Sequence, residues 1–256
     1  MSPTLLKSIT ELPRTVQSPV AEFAAKLLEK AGDNVQSLLV YGSAAGCALG
    51  ETGGNYNHGV SNINIAVVVK ELDFGLLRQS LDLVKWGRKH RISAPLFLTK
   101  EYILNALDVF PIEFGGIKER HKVIFGEDIF KDLDIPRKDV ALLCEQQVKG
   151  KLLRLRQAYL ETGTNPFALK KLLSGAFTDL VPVFMQLIRL KGQEPHGQKE
   201  EMLKQLAGTY SLDPGPFLAV YHDKNKKVLI SYRQVEAHLQ NFLDQLESLS
   251  RHLDTL

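Results

Sequence analysis

The chain has 256 residues, 44% of them hydrophobic and 24% charged, and its 32 basic and 29 acidic side chains leave a net charge of +3. This composition excludes a disordered chain and fits one large domain or two modest ones. The charge excess is too small to argue for a nucleic-acid-coating protein unless a local patch supplies it. Two cysteines, Cys47 and Cys144, lie far apart and form no CxxC or zinc spacing, which speaks against a disulfide framework or a structural zinc site and suits a reducing cytosol. The N-terminal MSPTLLKSITELPRTVQ has mixed charge and no continuous apolar core, and no later segment reads as a membrane span. The expectation is a soluble, cytoplasmic protein with no membrane partner.

In chain order, Ser18 can cap a first helix, Pro19 suits its first turn, and Val20, Phe23, Ala24, Leu27 and Leu28 fall on one face, with Gly32 as a stop. Gln36 to Tyr41 is a short apolar run before a glycine and predicts a buried strand. Ser43 to Leu49 could open a short helix. Glu51 to Gly59, ETGGNYNHG, lacks apolar periodicity and predicts an exposed, mobile connection. Ile63 to Val69 is the second strand, Asp73 to His90 a helix, and Ala94 to Leu98 a third strand. That alternation argues for an α/β or α+β layer domain. After about Arg137 the pattern becomes long and amphipathic: Asp139 to Leu160, Phe167 to Leu190, Lys199 to Ala207 and Tyr232 to Leu253, broken by Gly-Thr-Asn-Pro, Gly-Gln-Glu-Pro and Asp-Pro-Gly-Pro. A helical bundle is expected there.

A strand ending in Gly42-Ser43, then a second strand beginning at Asn62-Ile63-Asn64, with an all-helical second half, resembles the nucleotidyltransferase fold of the DNA polymerase beta superfamily. VIFGED at Val123 to Asp128 agrees, and DVFPIEFGGIKERHKVIFGED is similar to the linking region of bacterial nucleotidyltransferase-like proteins. The resemblance covers the first half well and the second half only in architecture. It implies an α+β chain: a nucleotidyltransferase-like mixed sheet flanked by helices over residues 1–135, and an all-helical domain over 136–256 of the kanamycin-nucleotidyltransferase or HEPN type.

What the resemblance implies chemically can be taken residue by residue. Gly42 lets backbone approach a triphosphate, and Ser43 can hydrogen-bond its oxygens; a turn that simply ends a strand uses the same two residues. The family places an Asp-x-Asp pair where Asn62 and Asn64 stand. Magnesium is a hard cation that prefers charged oxygens, and an asparagine offers only a neutral carbonyl. Asn62 and Asn64 keep the alternation of the aspartates, hence one sheet face, and lose both charges. A third carboxylate is missing from Ala94 to Thr99, and Asp73, Glu101 and Glu113 are poorly spaced to replace it. The expected function is a nucleotidyltransferase-like pseudoenzyme or regulatory module that binds a nucleoside triphosphate or another anion in a pocket between the domains. Two alternatives stay open: an active magnesium-dependent nucleotidyltransferase on an unknown acceptor, and an HEPN-type ribonuclease or partner subunit that associates, with a protein partner or with itself, through the helical half.

Other candidates weigh less. Arg233 and His238 in RQVEAH have the Arg-x4-His spacing of HEPN ribonucleases, with histidine suited to proton transfer. Lys149, Lys151, Arg154 and Arg156 form a basic helical stretch whose bland reading is a solvated face and whose functional reading is a wall for triphosphate or RNA. His58, His90 and His121 show no helix-face pairing for a metal. Cys47 lacks a local histidine to activate it.

Overall fold

The computed structural model describes residues 8–46 and 62–254. The expected connection Glu51 to Gly59, with His58, lies outside the described residues, as does Cys47. The chain divides into two compact units, Met1–Ile135 and Pro136–Leu256, and its architecture is α+β: one open mixed sheet with flanking helices, and further helices towards the C-terminus.

In the first unit, helix α1 (Arg14–Ala31) buries Val16, Val20, Phe23, Ala24, Leu27 and Leu28. It begins ahead of the expected cap, so Ser18 and Pro19 lie inside it. Val16 explains this correction: fully buried, it extends the apolar stripe by a turn, and each such side chain stabilises by about 1.5–3 kcal/mol. Gly32 ends the helix at φ 51°, its N–H donating to the Leu28 carbonyl.

Strands β1 (Val35–Tyr41), β2 (Asn64–Val69), β3 (Leu96–Thr99) and β4 (His121–Gly126) form a sheet of order β3-β2-β1-β4. β1 runs antiparallel to both β2 and β4, and β2 parallel to β3. Strand alternation builds two cores. Leu38, Val40, Ile63, Ile65, Val67 and Val69 pack with the apolar face of α1. Leu39, Ala66, Val68 and Leu98 face the other way, towards Ile103 of α4 (Lys100–Asn105), Phe114 and Ile117 of α5 (Pro111–Glu119), and Phe130.

The helix expected between the second and third strands is two, α2 (Phe74–Gln79) and α3 (Leu81–Lys89). Asp73 caps α2 through its carboxylate, accepting from the Leu76 N–H at 2.7 Å. Ser80 breaks the run, its hydroxyl donating back to the Leu76 carbonyl at 2.8 Å.

The second unit consists, among its described residues, of α6 (Arg137–Thr162), α7 (Pro166–Leu190), α8 (Lys199–Tyr210), α9 (Gly215–Lys224) and α10 (Val235–Leu253). Phe184, Phe217 and Phe242 meet edge to face, with ring centroids 5.2 and 5.3 Å apart. α9 grows out of Asp-Pro-Gly-Pro, which reads as a break: Asp213 accepts the Gly215 N–H at 2.8 Å and Pro216 occupies the first turn, so turn residues start a helix here. α7 is also a correction, since on length and composition it could cross a membrane; half of its apolar window is buried inside the protein, as in a core helix.

Candidate functional site

β1 and β2 pair so that Tyr41 stands opposite Asn64. The chain leaves β1 at Gly42, φ 72°, and enters a short 3₁₀ turn over Gly42–Ala45. This brings the Gly42-Ser43 turn beside the first residue of β2. A Cβ placed on Gly42 would lie 3.4 Å from the Asn64 side-chain amide nitrogen. Asn62, one residue outside the strand bridge at Ile63, is exposed, whereas Asn64 is half-buried. Ile63 and Ile65 belong to the α1 core and Ala66 and Val68 to the opposite one, so alternation assigns Asn64 to the face of Ala66 and Val68. Ser43, Asn62 and Asn64 make no side-chain hydrogen bond among the described residues, which leaves neutral donors and acceptors together at one end of the sheet.

Two arginines absent from the sequence reading flank this end through their backbones. The Gly42 N–H donates to the Arg120 carbonyl at 3.0 Å, and the Ile63 N–H to the Arg91 carbonyl at 2.8 Å. Arg91 adopts φ 62° and Arg120 follows α5; both are half-buried. On the other side of Tyr41 stands His121. Its Nδ1 lies 2.8 Å from the Ile117 carbonyl and its Nε2 2.9 Å from Asp128, so this ring is a clamp between β4, α5 and the following loop. Asp128 also accepts the Lys131 N–H at 3.0 Å. Burial raises the Tyr41 phenol above its ordinary value and keeps it neutral.

The donor set does not fit the magnesium that the resemblance implies. Asn62 and Asn64 offer neutral amides, β3 carries no acid, Asp73 is occupied as a helix cap, and Glu101 and Glu113 are exposed in the first turns of α4 and α5. No cluster of three or more His, Cys, Asp or Glu side chains among the described residues could hold a metal ion. What the arrangement offers an anion is amide and hydroxyl hydrogen bonding at a sheet end held by the backbones of two arginines.

The other candidates are dispersed. His238 lies in the first turn of α10, half-buried, but Arg233 stands in the exposed turn before that helix, not on it as read from the sequence. The helix starts where Val235 provides the first buried anchor, 1% exposed. The basic stretch of α6 divides its charges between neighbours: Lys149 bonds Glu145 and Asp254, Lys151 bonds Asp179 of α7 at 2.6 Å, and Arg156 bonds Glu247 of α10 at 2.6 Å. That is a solvated face tied to two helices. Cys144 is fully buried and its thiol is pushed up to about 12 by burial, which makes it inert as a nucleophile.

Comparison of the chain with models of protein families gives no match, and neither does comparison with curated proteins.

Proposed function

We propose that the first unit is a nucleotidyltransferase-like module that binds a nucleoside triphosphate, or a related phosphate-bearing anion, without transferring it. The Gly42-Ser43 turn admits phosphate oxygens close to backbone, and Ser43 and Asn64 donate hydrogen bonds to them. Arg91 and Arg120, whose backbone carbonyls accept from the Ile63 and Gly42 N–H groups, hold this end of the sheet in place for the anion. The carrying observation is the pairing of Tyr41 with Asn64, which sets Gly42 against an amide with no side-chain hydrogen bond among the described residues, where the resemblance calls for a carboxylate. Without a charged ligand set, nothing in the site neutralises a leaving pyrophosphate and activates an acceptor hydroxyl together.

Calorimetric titration of ATP into the full-length protein tests this reading, with magnesium present and with magnesium chelated. The expected result is binding of similar strength in both, weakened by Ser43→Ala and by Asn64→Ala, and no label transferred from α-labelled ATP to any acceptor or to the protein. Magnesium-dependent transfer by the purified protein overturns it.

A further inference from the structure

The net charge of the whole chain is small, but it is not spread evenly. From Leu83 to Lys100 the sequence carries Lys85, Arg88, Lys89, Arg91 and Lys100 and no acidic residue. Four of these cations fall in the run Lys-Trp-Gly-Arg-Lys-His-Arg over residues 85–91, which closes α3 and leads towards β3. Leu83 and Gly87 are the buried residues of α3, and Lys85, Arg88, Lys89 and His90 are exposed on its outer side. Lys85 contacts Asp82 at 3.3 Å, whereas Arg88 and Lys89 have no ion pair among the described residues.

An aromatic pair flanks this face on the side towards α1. Trp86 and His90, one helical turn apart, stack with ring centroids 4.1 Å apart and planes at 25°. The Lys26 ammonium of α1 lies 5.6 Å from the centre of the indole. Trp86 and Leu83, with Lys26, Lys30, Glu29 and Asp82, line a hollow of about 410 Å³ of mixed charge between α1 and α3. The exposed His90 ring therefore ends a short aromatic stack with cations beside it. His90 Nδ1 lies 2.9 Å from the Trp86 carbonyl, which fixes the ring at the helix end, and the charge run continues beyond the helix to Arg91.

The run also has a destination. Arg91, at φ 62°, turns the chain so that its carbonyl accepts the Ile63 N–H, and the Ser93 N–H donates to the Ile63 carbonyl at 3.0 Å. The basic face thus ends against Asn62-Ile63-Asn64, at the sheet end that carries Gly42.

We infer that the outer face of α3, from Lys85 to Arg91, is a docking strip for single-stranded nucleic acid. Its phosphates are held by Lys85, Arg88 and Lys89 and a base stacks on His90. Docking rests on α3 alone. The further step, that the terminal phosphate of the strand reaches Asn64, rests on the anion-site reading above.

The test is fluorescence anisotropy of a short labelled oligouridylate, and of its deoxy counterpart, with the full-length protein over a range of salt. The expected result is saturable binding that weakens with salt. Lys85→Gln/Arg88→Gln/Lys89→Gln should weaken it by roughly tenfold or more at low salt and reduce the slope of log K against log salt by about 2. His90→Ala should weaken it about fivefold or more with the slope unchanged. Circular dichroism and thermal unfolding confirm that each variant is folded. Absence of binding, a triple variant that binds like the wild type, or competition by polyglutamate as effective as by oligouridylate overturns the proposal. Oligouridylate binding that is sensitive to α3 in a protein that takes no ATP upholds the strip and defeats the anion-site reading. ATP binding with no oligouridylate binding does the reverse.

Discussion

Near its start, β1 sets the buried Ser37 against Gly126 of β4; at its close it runs into Gly42 and Ser43. Both glycines have positive φ, 79° and 72°. A Cβ on Gly126 would fall 1.9 Å from the Gln36 carbonyl oxygen, inside the backbone of the neighbouring strand, while one on Gly42 would come no nearer than 3.4 Å to a side-chain amide. The serines differ in the same sense. Ser37 is fully buried and donates to the Glu127 carbonyl at 2.6 Å, whereas Ser43 is half-buried and makes no side-chain hydrogen bond among the described residues. One end of the strand is closed by its own packing. The other holds polar groups that have no side-chain partner among the described residues, which is what the proposed anion site requires.

The largest expected effect is at the closed end. Gly126→Ala combines left-handed backbone with a clash against main chain, so β4 must separate from β1, and about 3–5 kcal/mol of stability should be lost in urea unfolding. A loss as small as that of an ordinary surface substitution would mean that the strands are not this close. At the open end, Asn62→Asp/Asn64→Asp installs two carboxylates at alternate positions, one of them half-buried. Their mutual repulsion and desolvation should cost roughly 2 kcal/mol without metal. Added magnesium should raise the unfolding temperature of this variant and leave that of the wild type unchanged. If magnesium acts equally on both, the asparagines do not occupy a metal geometry.

Gly42→Ala comes next. Only the backbone conformation opposes it, at about 1–2 kcal/mol, but the new methyl group would sit against the Asn64 amide. The expected outcome is a folded protein whose ATP affinity falls far more than its stability. Stability and affinity falling together, as at Gly126, would erase the contrast between the two ends.

The parts legible in the sequence are those that local pattern dictates. β1 and β2 are apolar runs, and α1 shows its buried face in its spacing, yet the start of α1 is displaced because Val16 adds a turn that capping rules do not weigh. β4 is not legible as a strand in VIFGED: in His121–Gly126 only Ile124 is fully buried, so no apolar alternation marks it. α9 hides behind two prolines and a glycine. At the candidate site, Gly42, Ser43, Asn62 and Asn64 can be picked out by their placement before and after apolar runs. Arg91 and Arg120 cannot, because backbone hydrogen bonds from distant segments bring them there, and no spacing encodes such a bond. The basic run of α3 is visible as letters, but its side-by-side arrangement with a stacked Trp86 and His90 needs the helix.

The smallest expected effect separates the two serines. Ser37→Ala removes a buried hydroxyl and leaves the Glu127 carbonyl with one partner fewer, a loss of about 1 kcal/mol. Its neighbours hold: the Glu127 N–H still donates to the Gln36 carbonyl at 3.2 Å, and Ser37 still pairs with Val68 and Gly126 through the backbone. The strand should therefore keep its register, and ATP affinity at the far end should be unchanged. Ser43→Ala should do the opposite, leaving urea unfolding within experimental error while weakening ATP binding, since that hydroxyl has no partner to lose within the described chain. Measured side by side, the pair asks whether β1 transmits strain along its length. If Ser37→Ala weakens ATP binding, the closed end positions the open one, and the division of labour between them has to be redrawn as a single mechanical unit.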